Sequence, residues 1–192
     1  MMIDAASPAV RRGAVLADLL PGALARDVAL VGGFALAIGL SARLALPLPG
    51  TPVPVTAQTL VVLLGAAVLG ARRAGLGAAA YLILGLAGTP WFAATGGATL
   101  GYIVGFVVAA AIVGRLAAAI GTWSVLKTAA LMVLGNGVIY AFGVSFLALH
   151  LGLGPFEALM LGAVPFLLGD AVKVAVAAAL LPASWRMVGQ RG

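Results

Sequence analysis

The chain has 192 residues, of which 64% are hydrophobic and 8% charged, with a formal net charge of +6. Soluble domains carry roughly 25% charged residues, so this composition and a mean hydropathy of +1.21 exclude an ordinary soluble fold. Cysteine is absent, which removes disulfides, thiolate metal sites and Fe–S clusters from consideration.

Long apolar runs without the alternation of a barrel predict an all-α membrane protein of six transmembrane helices. The domain plan expected is a cytoplasmic N-terminal segment at 1–27, a membrane domain at 28–182 and a cytoplasmic tail at 183–192. The N-terminal segment has Arg11 and Arg12 but no apolar h-region, so it does not read as a signal peptide. Its stretch at 15–24 is mildly amphipathic and is expected on the membrane surface.

Span one is expected at 28–46. Ala29, Gly33, Ala37 and Ser41 recur every fourth residue, a small-residue stripe that would let another helix approach closely. Pro47, Pro49, Pro52 and Pro54 then rule out helix and predict a stiff, extended connector. Span two is expected at 56–69 and span three at 76–87, separated by Arg72 and Arg73. A loop with Trp91 and Phe92 leads to span four at 99–120, and span five follows at 126–149. A connector at 152–164 with a short apolar turn precedes span six at 165–181, which Pro182 is expected to end. Those residues make about 25 Å of helix, just enough to cross.

Six spans put Arg11, Arg12, Arg26, Arg72, Arg73, Arg115, Lys127, Arg186 and Arg191 on one side. The opposite loops carry no lysine or arginine, Arg43 lying within the outer end of span one. The positive-inside rule therefore predicts cytoplasmic termini. Basic residues at span ends argue for membrane topology rather than nucleic acid.

In the apolar run at 164–181, Asp170 and Lys173 are the ionisable residues. Three apart, they share one helical face. A charge at bilayer depth costs roughly 2.5–3.5 kcal/mol, so the pair is expected to face a cavity or to staple span six to a neighbour. With the predicted topology it lies in the outer half, near the proline-rich loop, the Trp91–Phe92 loop and Tyr102.

No P-loop is present, and Lys127 and Lys173 are the two lysines, so intrinsic ATP hydrolysis is not expected. The single histidine, His150, sits at a span end without a nucleophile motif, so an enzyme is not expected either. One histidine and five acids leave too few ligands for a polynuclear metal site. The remaining polar residues suit binding: Gln58, Thr99, Tyr102, Asn136, Asp170 and Lys173. Asn136 could equally serve helix packing, and Gln58 could cap span two. Lys173 can turn a proton to a ligand carboxylate, while apolar walls hold a ring or hydrocarbon. The ligand expected is a small molecule with a carboxylate and an apolar body, presented from outside. A self-sufficient secondary carrier using Asp170 as a proton site is the alternative, although pairing with Lys173 argues against it.

The segments TPVPVTAQTL at 51–60, LGARRAG at 69–75, GTPWFA at 88–93, GYIVGF at 101–106 and GDAVK at 169–173 resemble the BioY family, in the family's order. The resemblance implies a six-helix S component of an energy-coupling factor (ECF) transporter in a bacterial cytoplasmic (inner) membrane, binding biotin and using no cofactor. It further implies a transmembrane coupling (T) subunit and ABC-type ATPase subunits as partners, with Ala29, Gly33 and Ala37 as the docking face and 47–54 as a lid. Asp170 and Lys173 fall on the family's binding pair, and Tyr102 on its Gly-Tyr motif. The loop at 93–101 is shorter than in the family.

Overall fold

The computed structural model describes residues 24–89, 97–120 and 123–189. Most of the segment at 1–27, the stretch at 15–24 except its last residue, Trp91, Phe92 and Arg191 lie outside them.

Helix α1 spans Leu24–Ser41. It stops five residues short of the expected span, because 45–46 pair in a ladder instead. Strand β1 (Ala45–Leu46) runs antiparallel to β2 (Val55–Thr56), with Ala45 opposite Thr56 and Leu46 opposite Val55. The proline-rich connector is thus pinned at both ends into a hairpin loop. Its prolines fall outside the ladder, where no N–H is required.

Helix α2 covers Gln58–Leu86, across both expected spans, as two helical arms joined at a kink. Gly70 interrupts it with φ 80° and ψ 168°, a conformation essentially reserved for glycine. The two arms, 58–69 and 71–86, fold back on each other. Gln58 Nε2 donates to Tyr81 Oη at 2.9 Å, although the two are 23 residues apart. A straight helix would separate them by roughly 35 Å. Phe34 of α1 confirms the geometry, since its ring packs against Gly65 on one arm and Gly77 on the other. A Cβ would lie 2.2 Å from that ring at Gly65 and 2.7 Å at Gly77.

Helices α3 (Leu100–Ala119) and α4 (Val125–Leu151) lie within two residues of expectation. Ser124 caps α4 by accepting from Lys127 N, and Gly152 closes it with φ 66°. The connector that follows holds a real helix, α5 (Pro155–Gly162), started by Pro155 at its first turn. Helix α6 covers Leu167–Gly189 and runs through Pro182, contrary to the expected stop. A membrane helix tolerates the missing N–H when neighbours meet the freed groups. The carbonyl that Pro182 frees is that of Ala178; the Ser184 hydroxyl bonds a different one, Leu180, at 2.9 Å.

Among the described residues, five helical segments are long and apolar enough to cross a membrane. Helix α3 packs between α2 and α4, α1 lies on α2, and α6 closes against α4 and α2. Gly101 and Gly105 bring α3 close to α4: a Cβ at Gly101 would lie 2.3 Å from Phe146 Cβ. At one end of the bundle, Arg73 Nε meets Asp27 at 3.0 Å and Gly114 packs on the turn at Gly70–Ala71. Leu36, Leu40, Val133, Leu168 and Val172 are exposed, as lipid-facing side chains should be.

Candidate binding site

The site starts from the two faces of α6. Leu168, Val172 and Leu180 point outward and are exposed, whereas Asp170, Ala177 and Leu181 are buried. Asp170 is 5% exposed, and Lys173 lies one turn on, its side chain 16% exposed. The apolar neighbours therefore take the lipid-facing positions and the ion pair turns inward.

Three side chains converge on the Asp170 carboxylate. Lys173 Nζ donates to Oδ1 at 2.9 Å, Thr59 Oγ1 donates to the same oxygen at 3.3 Å, and the Tyr140 hydroxyl donates to Oδ2. Lys173 also donates to Thr59 Oγ1 at 2.8 Å. This cluster joins α2, α4 and α6, which are far apart in the chain. An ammonium has three protons, and protein acceptors take two of them. Among the described residues no acceptor takes the third, and the adjoining space is open.

That space is a cavity of about 200 Å³ bordered by Asp170, Lys173, Thr59 and Tyr140. Val53, Val55, Ile103, Phe106, Ile139 and Phe166 supply apolar wall, and Thr56, Gln58 and Thr99 supply further polar groups. The β-hairpin connector forms part of the enclosure through residues 53–56, with Val53 buried. A few polar groups set among apolar walls is the usual composition of a small-molecule site. Among the described residues, no three His, Asp or Glu side chains converge as a metal site would require.

Five of the six expected site residues line this cavity: Gln58, Thr99, Tyr102, Asp170 and Lys173. Their groups differ in availability. The Tyr102 hydroxyl is committed to the Gly162 carbonyl at 2.7 Å, so its ring, edge-on to Phe166 at 6.4 Å, is what meets the cavity. Gln58 does not cap α2 with its side chain, because Nε2 is drawn to Tyr81 and Oε1 accepts from Thr56. Asn136 does not line the main cavity. It borders a smaller one beside Thr59 and Lys173, because its position on α4 lies one turn from Tyr140 and deeper along the cluster. Thr59 and Tyr140 were missed as site residues. A hydroxyl four residues after Asn136 on one helical face was the available signal for Tyr140.

A BioY family model matches residues 11–190. The chain belongs to the BioY family. "Biotin transporter BioY" of Rhizobium etli is 35% identical over 172 residues, covering 81% of this chain and 90% of that protein. The protein of the same name from Thermotoga maritima is 36% identical over 160 residues, covering 80% and 92%. These BioY relatives are named as transporters and not as enzymes. The fold also resembles a crystal structure of the S-component for biotin from an ECF-type ABC transporter. That match has a TM-score of 0.72 at 16% identity and covers 86% of this BioY-family chain and 95% of the other.

Proposed function

We propose that this chain is the biotin-binding S component of an ECF transporter. In this reading it captures biotin from outside in the bacterial cytoplasmic membrane and works with a separate transmembrane coupling subunit and ATPase subunits. The observation that carries it is the open third proton of Lys173 at the edge of a cavity with mostly apolar walls. Biotin offers a carboxylate for that proton, a thioether ring for Ile103, Phe106 and Ile139, and a ureido group for hydroxyls and amides. Asp170 holds Lys173 in place and Tyr102 supplies a wall. Gln58 and Thr99 complete the polar lining, and 47–54 serves as the lid.

The membrane plan fits this role. Counted as two crossings, the arms of α2 that fold back at Gly70 make six with α1, α3, α4 and α6, which supports termini on one side, in this reading the cytoplasm. Arg72, Arg73, Arg115, Lys127 and Arg186 then share the inner side, as the positive-inside rule requires. The cavity falls in the outer half. Ala29 and Gly33 are exposed on α1 and Ala37 is half-buried, while a Cβ at Gly33 would meet none of the described residues within 4 Å. This is the face offered to the coupling subunit.

Equilibrium binding of biotin to the purified chain tests the reading. Tight binding is expected, weakened at least tenfold by Lys173→Ala, or about 1.4 kcal/mol. Biotin methyl ester should bind the native chain much more weakly than biotin, and Lys173→Ala should shrink that difference. Native affinity in Lys173→Ala would remove the carboxylate anchor, and no biotin binding by the native chain would remove the reading.

A further inference from the structure

A second cavity beside the ion pair has a volume of about 10 Å³, lined by Thr59, Leu60, Leu63, Met132, Asn136, Lys173 and Val174. Thr59 and Lys173 border the main cavity too, so the small chamber adjoins the ion-pair cluster directly. Asn136 is 8% exposed, and its Oδ1 is fully buried with no hydrogen-bond partner among the described residues. Leaving such an oxygen unpaired costs about 1–3 kcal/mol, and a bilayer core offers no solvent to relieve it. Buried polar groups without a protein partner are commonly met by ordered water.

The chamber has what a water needs. One water requires roughly 10–15 Å³ and two or more polar partners. Asn136 Oδ1 is one acceptor. Thr59 Oγ1 is the other, since it accepts from Lys173 and donates to Asp170 but keeps one lone pair. Leu60, Leu63, Met132 and Val174 offer nothing that competes. A Cβ at Gly135 would lie 2.4 Å from Leu63 Cδ2, so this glycine lets the apolar wall close on the amide.

We propose that a single water fills this chamber, donating one proton to Asn136 Oδ1 and the other to Thr59 Oγ1, and that Asn136 is thereby a positioning residue for Lys173. The water fixes the Thr59 hydroxyl with its proton toward Asp170 and its oxygen toward the ammonium. The third ammonium proton then stays directed at the main cavity. Asn136 acts on the ligand through this relay and does not touch it. The effect on ligand rests on the biotin-capture reading; the water site does not.

Two measurements test the proposal. A high-resolution structure of the native protein without ligand should show an ordered water at about 3 Å from both Asn136 Oδ1 and Thr59 Oγ1. A dry chamber would overturn it. Asn136→Leu keeps the volume, replaces the amide and its water with apolar contact, and should fold. Its affinity for biotin should fall about tenfold, or 1.4 kcal/mol, while its affinity for biotin methyl ester stays at the native value. Equal losses for acid and ester would mark Asn136 as structural, and no loss for either would remove its role. Failure of the capture reading looks different: the native chain would bind no biotin, yet the water would remain visible.

Discussion

At the scale of single residues, the ion pair carries the argument through its partners rather than through its charge. Asp170 accepts from Lys173, Thr59 and Tyr140, so it orients the lysine and has little left to offer a ligand. Tyr140→Phe removes one of these donors and should let the carboxylate, and with it Lys173, lose its fixed orientation. A hydrogen bond to a charged group contributes about 1.5–3 kcal/mol, so biotin affinity should fall about tenfold with helix content unchanged. Native affinity in titration calorimetry would show that Asp170 needs no third partner. The sequence made Asp170 and Lys173 legible, because two charges in an apolar run demand an inward face. Thr59 was harder to see, since a threonine hydroxyl in a membrane helix satisfies itself as readily on its own backbone as on a distant side chain, and Tyr140 was marked by nothing beyond its spacing from Asn136. Tyr102 was visible as a site residue, but its hydroxyl was not visibly committed, because Gly162 lies 60 residues away.

At the scale of elements, the deciding feature is the reversal at Gly70. Arg72 and Arg73 marked a boundary between two spans, and the sequence reading placed a break there. It could not show that one glycine suffices for the turn. The backbone at φ 80° and ψ 168° is open to glycine and strained for other residues by about 1–3 kcal/mol. Gly70→Ala should therefore lower the melting temperature in detergent. It should also weaken biotin binding, because Gln58 and Thr59 are positioned by the arm that begins at the cavity and ends at this turn. An unchanged melting temperature would mean that the turn relaxes at no cost. Small-residue stripes show the converse limit of sequence. The stripe on α1 and the glycines at 101 and 105 on α3 look alike in the chain, yet Gly101 and Gly105 are filled by α4 while Gly33 faces open space. Which stripe is internal depends on helix rotation, and periodicity does not encode that. Pro182 likewise read as a terminator, and a membrane helix carried through it.

At the scale of the whole molecule, the proposed function assigns capture and docking to different parts of the bundle. Absence of cysteine lets topology be read from single introduced thiols. Pro49→Cys and Glu157→Cys should react with an impermeant reagent from outside, and Arg72→Cys, Lys127→Cys and Arg186→Cys from inside. Outside labelling at residue 72 would break the six-crossing plan. The separation of roles has its own test on α1. Among the described residues, its small-residue face has no internal neighbour at Gly33, and Gly33 is not among the residues bordering the cavity. A bulky side chain there has space within this chain, so folding and biotin affinity should be retained in Gly33→Leu. A partner helix approaching to backbone contact would meet that side chain, and small residues at membrane helix interfaces matter because they permit such approach. Gly33→Leu should therefore bind biotin like the native chain but lose co-purification with a coupling subunit and lose ATP-driven uptake. Uptake retained at the native rate would move the docking face elsewhere on the bundle, and a parallel loss of biotin affinity would show that α1 shapes the cavity after all.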